Sequence, residues 1–157
     1  MSVSGLPTNY PELREPVRDL CARFVTQYWI NAEREGYPEA FVKALTEAGW
    51  LAALIPEEYG GAGLNLTEAS VILEEINRSG ANSGACHAQM YIMGTLLRHG
   101  SQAQKDAYLP RIASGELRLQ SFGVTEPATG SDTTRLRTTA TRTGDGYVIQ
   151  GDRKSVV

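Results

Sequence analysis

The chain has 157 residues, of which 41% are hydrophobic and 21% charged, and its net charge is -3. That balance excludes an intrinsically disordered chain and leaves room for one domain and the start of another. Charges of both signs are scattered along it, which excludes a basic nucleic-acid surface and an acidic solvating tail.

Met1 to Asn9 lacks the basic start and apolar stretch of a signal peptide. No run reaches the roughly 18 apolar residues of a membrane helix, so we read a cytoplasmic protein without a membrane span. From Pro11 the spacing is helical: Val17, Leu20, Cys21, Phe24, Val25 and Tyr28 fall on one face of an amphipathic helix. Pro38 opens a second helix with Phe41, Val42, Leu45 and Ala48 inward and Gly49 at its end. Trp50 to Asn65, with Pro56, Gly60, Gly61 and Gly63, reads as a loop. A third helix turns Ala69, Ile72, Leu73 and Ile76 inward, with Glu74 and Glu75 on a solvated face, and stops at Ser79, Gly80 and Asn82. Cys86 to Leu97 is apolar nearly all round and reads as a buried helix ending at Gly100. Ser101 and Gln104 form a capping box for a last short helix that Pro110 punctuates.

After Gly115 the period changes to alternation. Leu117 to Phe122 reads as a strand, as does Thr134 to Thr143. Gly144, Asp145 and Gly146 turn the chain into Tyr147, Val148 and Ile149, completing a hairpin. The expected fold is a mainly α N-terminal helical domain, residues 1–115, followed by the first strands of a β domain, residues 116–157.

The cysteines, the histidines and one polar loop are the places to look for chemistry. Cys21 and Cys86 each lie in an apolar run without a CxxC spacing, as buried thiols in a reducing compartment do. His87 reads as a satisfied histidine at a helix start, or as the lining of an acyl pocket beside Met90 and Met93. His99 suits a helix C-terminus. No metal-ligand spacing accompanies either histidine. The stretch from Phe122 to Asp132 is the most informative. Pro127 fixes its own φ and biases Glu126 toward extended geometry, Gly130 allows close approach, and Thr125 and Ser131 offer hydroxyls. Such a loop is either an ordinary strand-to-strand turn or a holder for a planar polar ring.

Thr125-Glu126-Pro127-x-x-Gly130-Ser131-Asp132 resembles the threonine-glutamate-proline signature of acyl-CoA dehydrogenases. Ile55-Pro56-Glu57-Glu58-Tyr59-Gly60-Gly61, Gln104 with Tyr108-Leu109-Pro110 and Ser114-Gly115-Glu116, and Asp145-Gly146-Tyr147-Val148-Ile149-Gln150-Gly151 resemble other pieces of that family, in its order. The resemblance implies an acyl-CoA dehydrogenase-like fold of helical domain, β-barrel domain and C-terminal four-helix bundle, of which the last is expected to be absent here. It implies FAD as cofactor, acyl-CoA as substrate, an electron-transferring flavoprotein as acceptor and a homo-oligomer. It places Phe122 and Val124 along the isoalloxazine ring and Thr125 near its N5. Gly130 and Ser131 then meet phosphate or substrate, with Ser131 close to the acyl-CoA. Glu126 is structural on this reading, and the family's catalytic base lies beyond Val157, so no residue here is catalytic and the chain alone is expected to be inactive. The family's aromatic after the Gly151 position has no counterpart in Ser155, Val156 and Val157, which is expected of a truncated or frame-shifted reading frame. Two other readings stand beside this one. One is a non-catalytic helical fragment acting through partners; the other is an acyl-CoA oxidase or flavin monooxygenase-like relative.

Overall fold

The computed structural model describes residues 9–121 and 123–152. Among the described residues six α-helices precede a two-stranded sheet: α1 (Pro11–Cys21), α2 (Thr26–Glu35), α3 (Glu39–Glu47), α4 (Leu66–Arg78), α5 (Gly84–His99), α6 (Gln102–Ala113), β1 (Thr139–Thr143) and β2 (Gly146–Gln150). The mainly helical architecture with a following hairpin is the one expected. By its internal contacts the chain forms two units, residues 1–120 and 121–157.

In the helical unit the apolar stripes meet in one core, with Val17, Leu20, Phe41, Val42, Leu45, Ile72, Ile76, Met93, Leu109 and Ile112 almost wholly shielded. The single first helix divides instead after Cys21, and Val25, at the start of α2, is 65% exposed. Phe24 stays inward because its ring packs edge-on against Tyr28 and Phe41, at 4.8 and 5.2 Å between centroids. Pro110 lies inside α6 rather than ending it, while the Ser101–Gln104 capping box forms as expected. Ala48, expected inward, is exposed just past the end of α3.

The glycine-rich stretch after α3 is a loop, but one that belongs to the core. Leu51, Ala52, Ala53 and Ile55 are buried in it. Two 3₁₀ turns, Trp50–Ala52 and Glu57–Tyr59, fold it back. Its returning arm bonds to the outgoing one, with Leu64 N donating to Ala53 O at 2.8 Å and Gly63 N to Ile55 O at 2.8 Å. Those bonds satisfy backbone groups that burial would otherwise leave costly.

Glu75 departs most from expectation. It is not solvated but 1% exposed, facing inward between Ile72 and Ile76. Arg18 Nε reaches one of its oxygens at 2.8 Å and Arg14 Nη1 the other at 3.2 Å, while Arg14 Nη2 holds Glu74 at 2.5 Å. The Arg18 hydrogen bond, against the opposing pull of burial, sets Glu75 below the usual carboxylate range, and Arg14 adds to it. A depressed carboxylate contributes stability that is present above its unfolded pKa of about 4.3 and is lost as pH falls through the folded value. Urea midpoints of the wild type should therefore hold from neutral pH to the carboxylate range and drop below it. Those of Glu75→Gln should start lower and change less over the same acid range; parallel curves would refute the assignment.

In the second unit β1 and β2 pair antiparallel, Thr139 opposite Gln150 and Thr143 opposite Gly146, about the turn Gly144-Asp145. Gly144 sits at φ 60, a conformation that glycine takes at little cost. The hairpin is the expected one, but β1 begins at Thr139 rather than Thr134. Asp132 draws Thr133–Arg135 into a 3₁₀ turn by accepting from Thr134 N at 3.2 Å and Thr134 Oγ1 at 2.5 Å. The expected strand from Leu117 has no ladder partner among the described residues. Its alternation has another use within the helical unit: Leu117 and Leu119 pack on the core. Arg118 grips Glu39 at 2.8 and 2.9 Å, and Gln120 receives the Tyr37 hydroxyl at 2.5 Å.

Candidate functional site

The loop from Gly123 to Thr138 carries the sequence signature, and one carboxylate organises it. Glu126 N donates to Thr129 O at 3.0 Å and Thr129 N to Glu126 O at 3.1 Å, a bridge that closes the turn over Pro127 and Ala128. The Glu126 side chain, 7% exposed, turns away from that bridge toward the hairpin. One oxygen accepts from Arg137 N at 2.7 Å, and the other from Thr138 N at 2.8 Å and Thr138 Oγ1 at 2.5 Å. The Thr138 hydroxyl, followed by the two backbone donors, holds this carboxyl below the usual range. All three of these bonds are made inside the protein.

The candidate ligand groups are placed differently. Thr125, Gly130 and Ser131 are exposed and Val124 is half-buried, while Phe122 lies outside the described residues. Among the described residues neither the Thr125 nor the Ser131 hydroxyl has a hydrogen-bond partner. A Cβ built on Gly130 meets nothing within 4 Å, so crowding inside the chain does not require glycine there. Open space beside a glycine, with a free hydroxyl on the next residue, is what a closely approaching polar group needs. An open recess of about 440 Å³ borders the other side of the loop, lined by Glu126, Pro127, Arg137, Thr139, Gln150 and Asp152.

Thr129 was not singled out by the sequence, yet it is 8% exposed. Its hydroxyl donates to Asp132 O at 2.9 Å, so it belongs to the frame of the loop. Arg137 and Thr138, the anchors of Glu126, also went unnoticed. They lie eleven and twelve residues beyond it, at a separation that no strand or helix period marks.

The helical unit offers less chemistry. Cys21 and Cys86 are buried free thiols, and burial pushes Cys86 up to about 12 and raises Cys21 as well. His87 is exposed and meets the Tyr91 ring edge-on at 5.3 Å. It borders a small apolar recess of about 270 Å³ with Leu54, Leu73 and Met90, whereas Met93 is plain core. Among the described residues no three histidine, cysteine, aspartate or glutamate side chains gather as a metal site. Nor is any described helix long and apolar enough to cross a membrane.

Comparison with known proteins shows what the chain as a whole is similar to. The profile of the acyl-CoA dehydrogenase N-terminal domain matches residues 9–116. The mouse mitochondrial short-chain specific acyl-CoA dehydrogenase is 34% identical over 152 residues, covering 94% of this chain and 36% of its own. An acyl-CoA dehydrogenase from Geobacillus kaustophilus superposes with a TM-score of 0.79 at 26% identity, covering 97% of this chain and 40% of that one. A Bacillus anthracis acyl-CoA dehydrogenase complexed with FAD gives 0.75 at 27% identity, covering 98% and 27%. The chain thus spans about a third of the length of the curated relatives it matches.

Proposed function

Since the chain belongs to the acyl-CoA dehydrogenase family, we propose that it is the N-terminal portion of an FAD-dependent enzyme that desaturates an acyl-CoA between its α and β carbons. Residues 1–115 serve as its helical domain and residues 116–157 as the start of its β domain. The observation that carries the reading is the loop itself. Its two carboxylates, Glu126 and Asp132, bond within the loop and the hairpin, while Thr125, Gly130 and Ser131 face outward with two hydroxyls and an open approach.

These groups fit a flavin in chemical kind. Thr125 supplies a donor for the ring edge, Val124 an apolar flank, and Gly130 and Ser131 a close backbone and a hydroxyl for phosphate or thioester. Phe122 is proposed for the ring face as well. When bound, FAD supplies the acceptor for the hydride removed from the acyl chain. This chain's task is to hold and orient that group. The carboxylate base is not among these residues, so the chain assayed by itself is expected to turn over no acyl-CoA. The proposal extends to an electron-transferring flavoprotein as acceptor, a homo-oligomeric assembly and a cytoplasmic setting.

The test joins the chain to the C-terminal two-thirds of a relative and follows FAD retention and dye reduction with a panel of acyl-CoA thioesters. Thr125→Val keeps shape and removes one donor. A hydrogen bond to a buried partner left unsatisfied is worth about 1–3 kcal/mol, so FAD affinity should weaken roughly tenfold. Thr129→Val is unsuitable as a control, because Thr129 belongs to the frame of the loop. Exposed Thr141 on β1 serves instead. Equal FAD affinity in the Thr125→Val and Thr141→Val proteins would refute the assignment of Thr125. Failure of the wild-type protein to retain FAD would refute the cofactor.

A further inference from the structure

We infer that Glu126 is the positioning residue of this loop: its carboxylate, closed over three donors at the root of the hairpin, fixes the backbone from which Thr125, Gly130 and Ser131 meet their ligand. The inference rests on the flavin reading of those three residues and adds the part that holds them.

The ligand groups have no hydrogen bonds of their own among the described residues to set their direction. Each is instead next to a residue that does, or one further on. Thr125 precedes Glu126, whose side chain is bound at both oxygens. Gly130 and Ser131 follow Thr129, which is bonded through its backbone to Glu126 and through its hydroxyl to Asp132. Asp132 in turn caps the 3₁₀ turn through Thr134. The frame therefore meets at Glu126, whose backbone holds Thr129 and whose carboxylate holds Arg137 and Thr138. An aspartate is a methylene shorter and would not reach both donor sets from the same backbone.

The chemistry also selects a carboxylate over an amide. Glu126 faces two N–H groups and one hydroxyl, all of them donors as the structure arranges them. Glutamine has a single acceptor oxygen, and its NH₂ would point at one of these donors. Glu126→Gln keeps size and loses part of the clamp. Thr138→Val removes only the hydroxyl donor, and Thr138→Ser restores it.

The first measurement needs no flavin. In proton–nitrogen spectra of the whole chain, the Arg137 and Thr138 amide protons should lie downfield, as charge-assisted donors do. They should move upfield in Glu126→Gln, and the amides of Thr125, Gly130 and Ser131 should exchange faster with water. Thr138→Ser should keep the wild-type pattern. Unchanged amide positions and loop exchange in Glu126→Gln would overturn the inference.

The second measurement is a double-mutant cycle on FAD affinity in the chain joined to the C-terminal two-thirds of a relative. Glu126→Gln alone should weaken FAD about tenfold, by the loss of one charge-assisted bond. Thr125→Val should then add little further, because a released loop no longer directs that hydroxyl. Thr125→Val exerting its full effect in the Glu126→Gln background would make Glu126 a mere stability residue and overturn the inference. If the wild-type joined protein binds no FAD, the cofactor reading falls, and the amide spectra alone decide for or against the clamp.

Discussion

Phe41→Ala should lower the unfolding free energy of the helical unit by about 3–5 kcal/mol, the usual cost of deleting a buried phenylalanine ring. Phe41 is 1% exposed and stands where the first three helices meet. Trp29 lies edge-on to it at 4.8 Å and Phe24 at 5.2 Å, and its backbone N–H donates to the Tyr28 hydroxyl at 3.0 Å. Alanine would leave the Phe24 and Trp29 rings facing a void that their own packing keeps from collapsing. Urea titration followed by tryptophan emission measures the loss directly, since Trp29 borders the void. Val25→Ala, on an exposed side chain of the same region, should cost far less. A Phe41→Ala midpoint close to that of Val25→Ala would show that the aromatic cluster is not what joins α2 and α3 to the core.

Gly61→Ala should be nearly as damaging, by about 3 kcal/mol, at the upper end for overpacking. A Cβ at Gly61 would collide with the Ile55 carbonyl and its side chain. Neither can retreat easily: Ile55 is fully buried and its carbonyl accepts from Gly63 N. The substitution therefore forces apart the two arms of the buried loop. Gly94→Ala makes the contrasting test. Gly94 sits inside α5 with nothing within 4 Å of an added Cβ, so alanine there should stabilise by about 0.5–1 kcal/mol. Opposite signs for two glycine-to-alanine changes are the expected result in thermal unfolding followed at 222 nm. Two changes of the same sign would contradict the packing described for the loop.

Periodicity revealed the helices because each has to bury one face, and Ile72, Ile76, Val42 and Leu45 occupy the positions their spacing assigns. It failed where long-range partners decide. Glu75 lies inward between Ile72 and Ile76, and hydrogen bonds from Arg14 and Arg18, some sixty residues earlier, make that tolerable. Their spacing of four on α1 is the one sequence signal that was available. The alternation at Leu117 and Leu119 was real, but it reports packing on helices and not a ladder. The loop after α3 was legible as a loop from its glycines, but its burial was not; in this case Gly61 lets two buried arms approach. At the site, the motif itself was legible, and Glu126 as a structural residue agrees with its three internal bonds. The frame around it was not, because Thr129, Arg137 and Thr138 act through hydrogen bonds that carry no periodic mark.

The pair of thiols gives the core a property that none of its other residues share. Cys21 and Cys86 lie in the same cluster, both shielded, and burial keeps both in the protonated, unreactive form near neutral pH. An alkylating reagent that attacks only thiolate in contact with water is thus excluded until the cluster opens. The mass gained under pulses of such a reagent counts openings, one cysteine at a time, without any engineered probe. Because Cys21 ends α1 and Cys86 lies at the start of α5, unequal labelling would report which wall of the core gives way first.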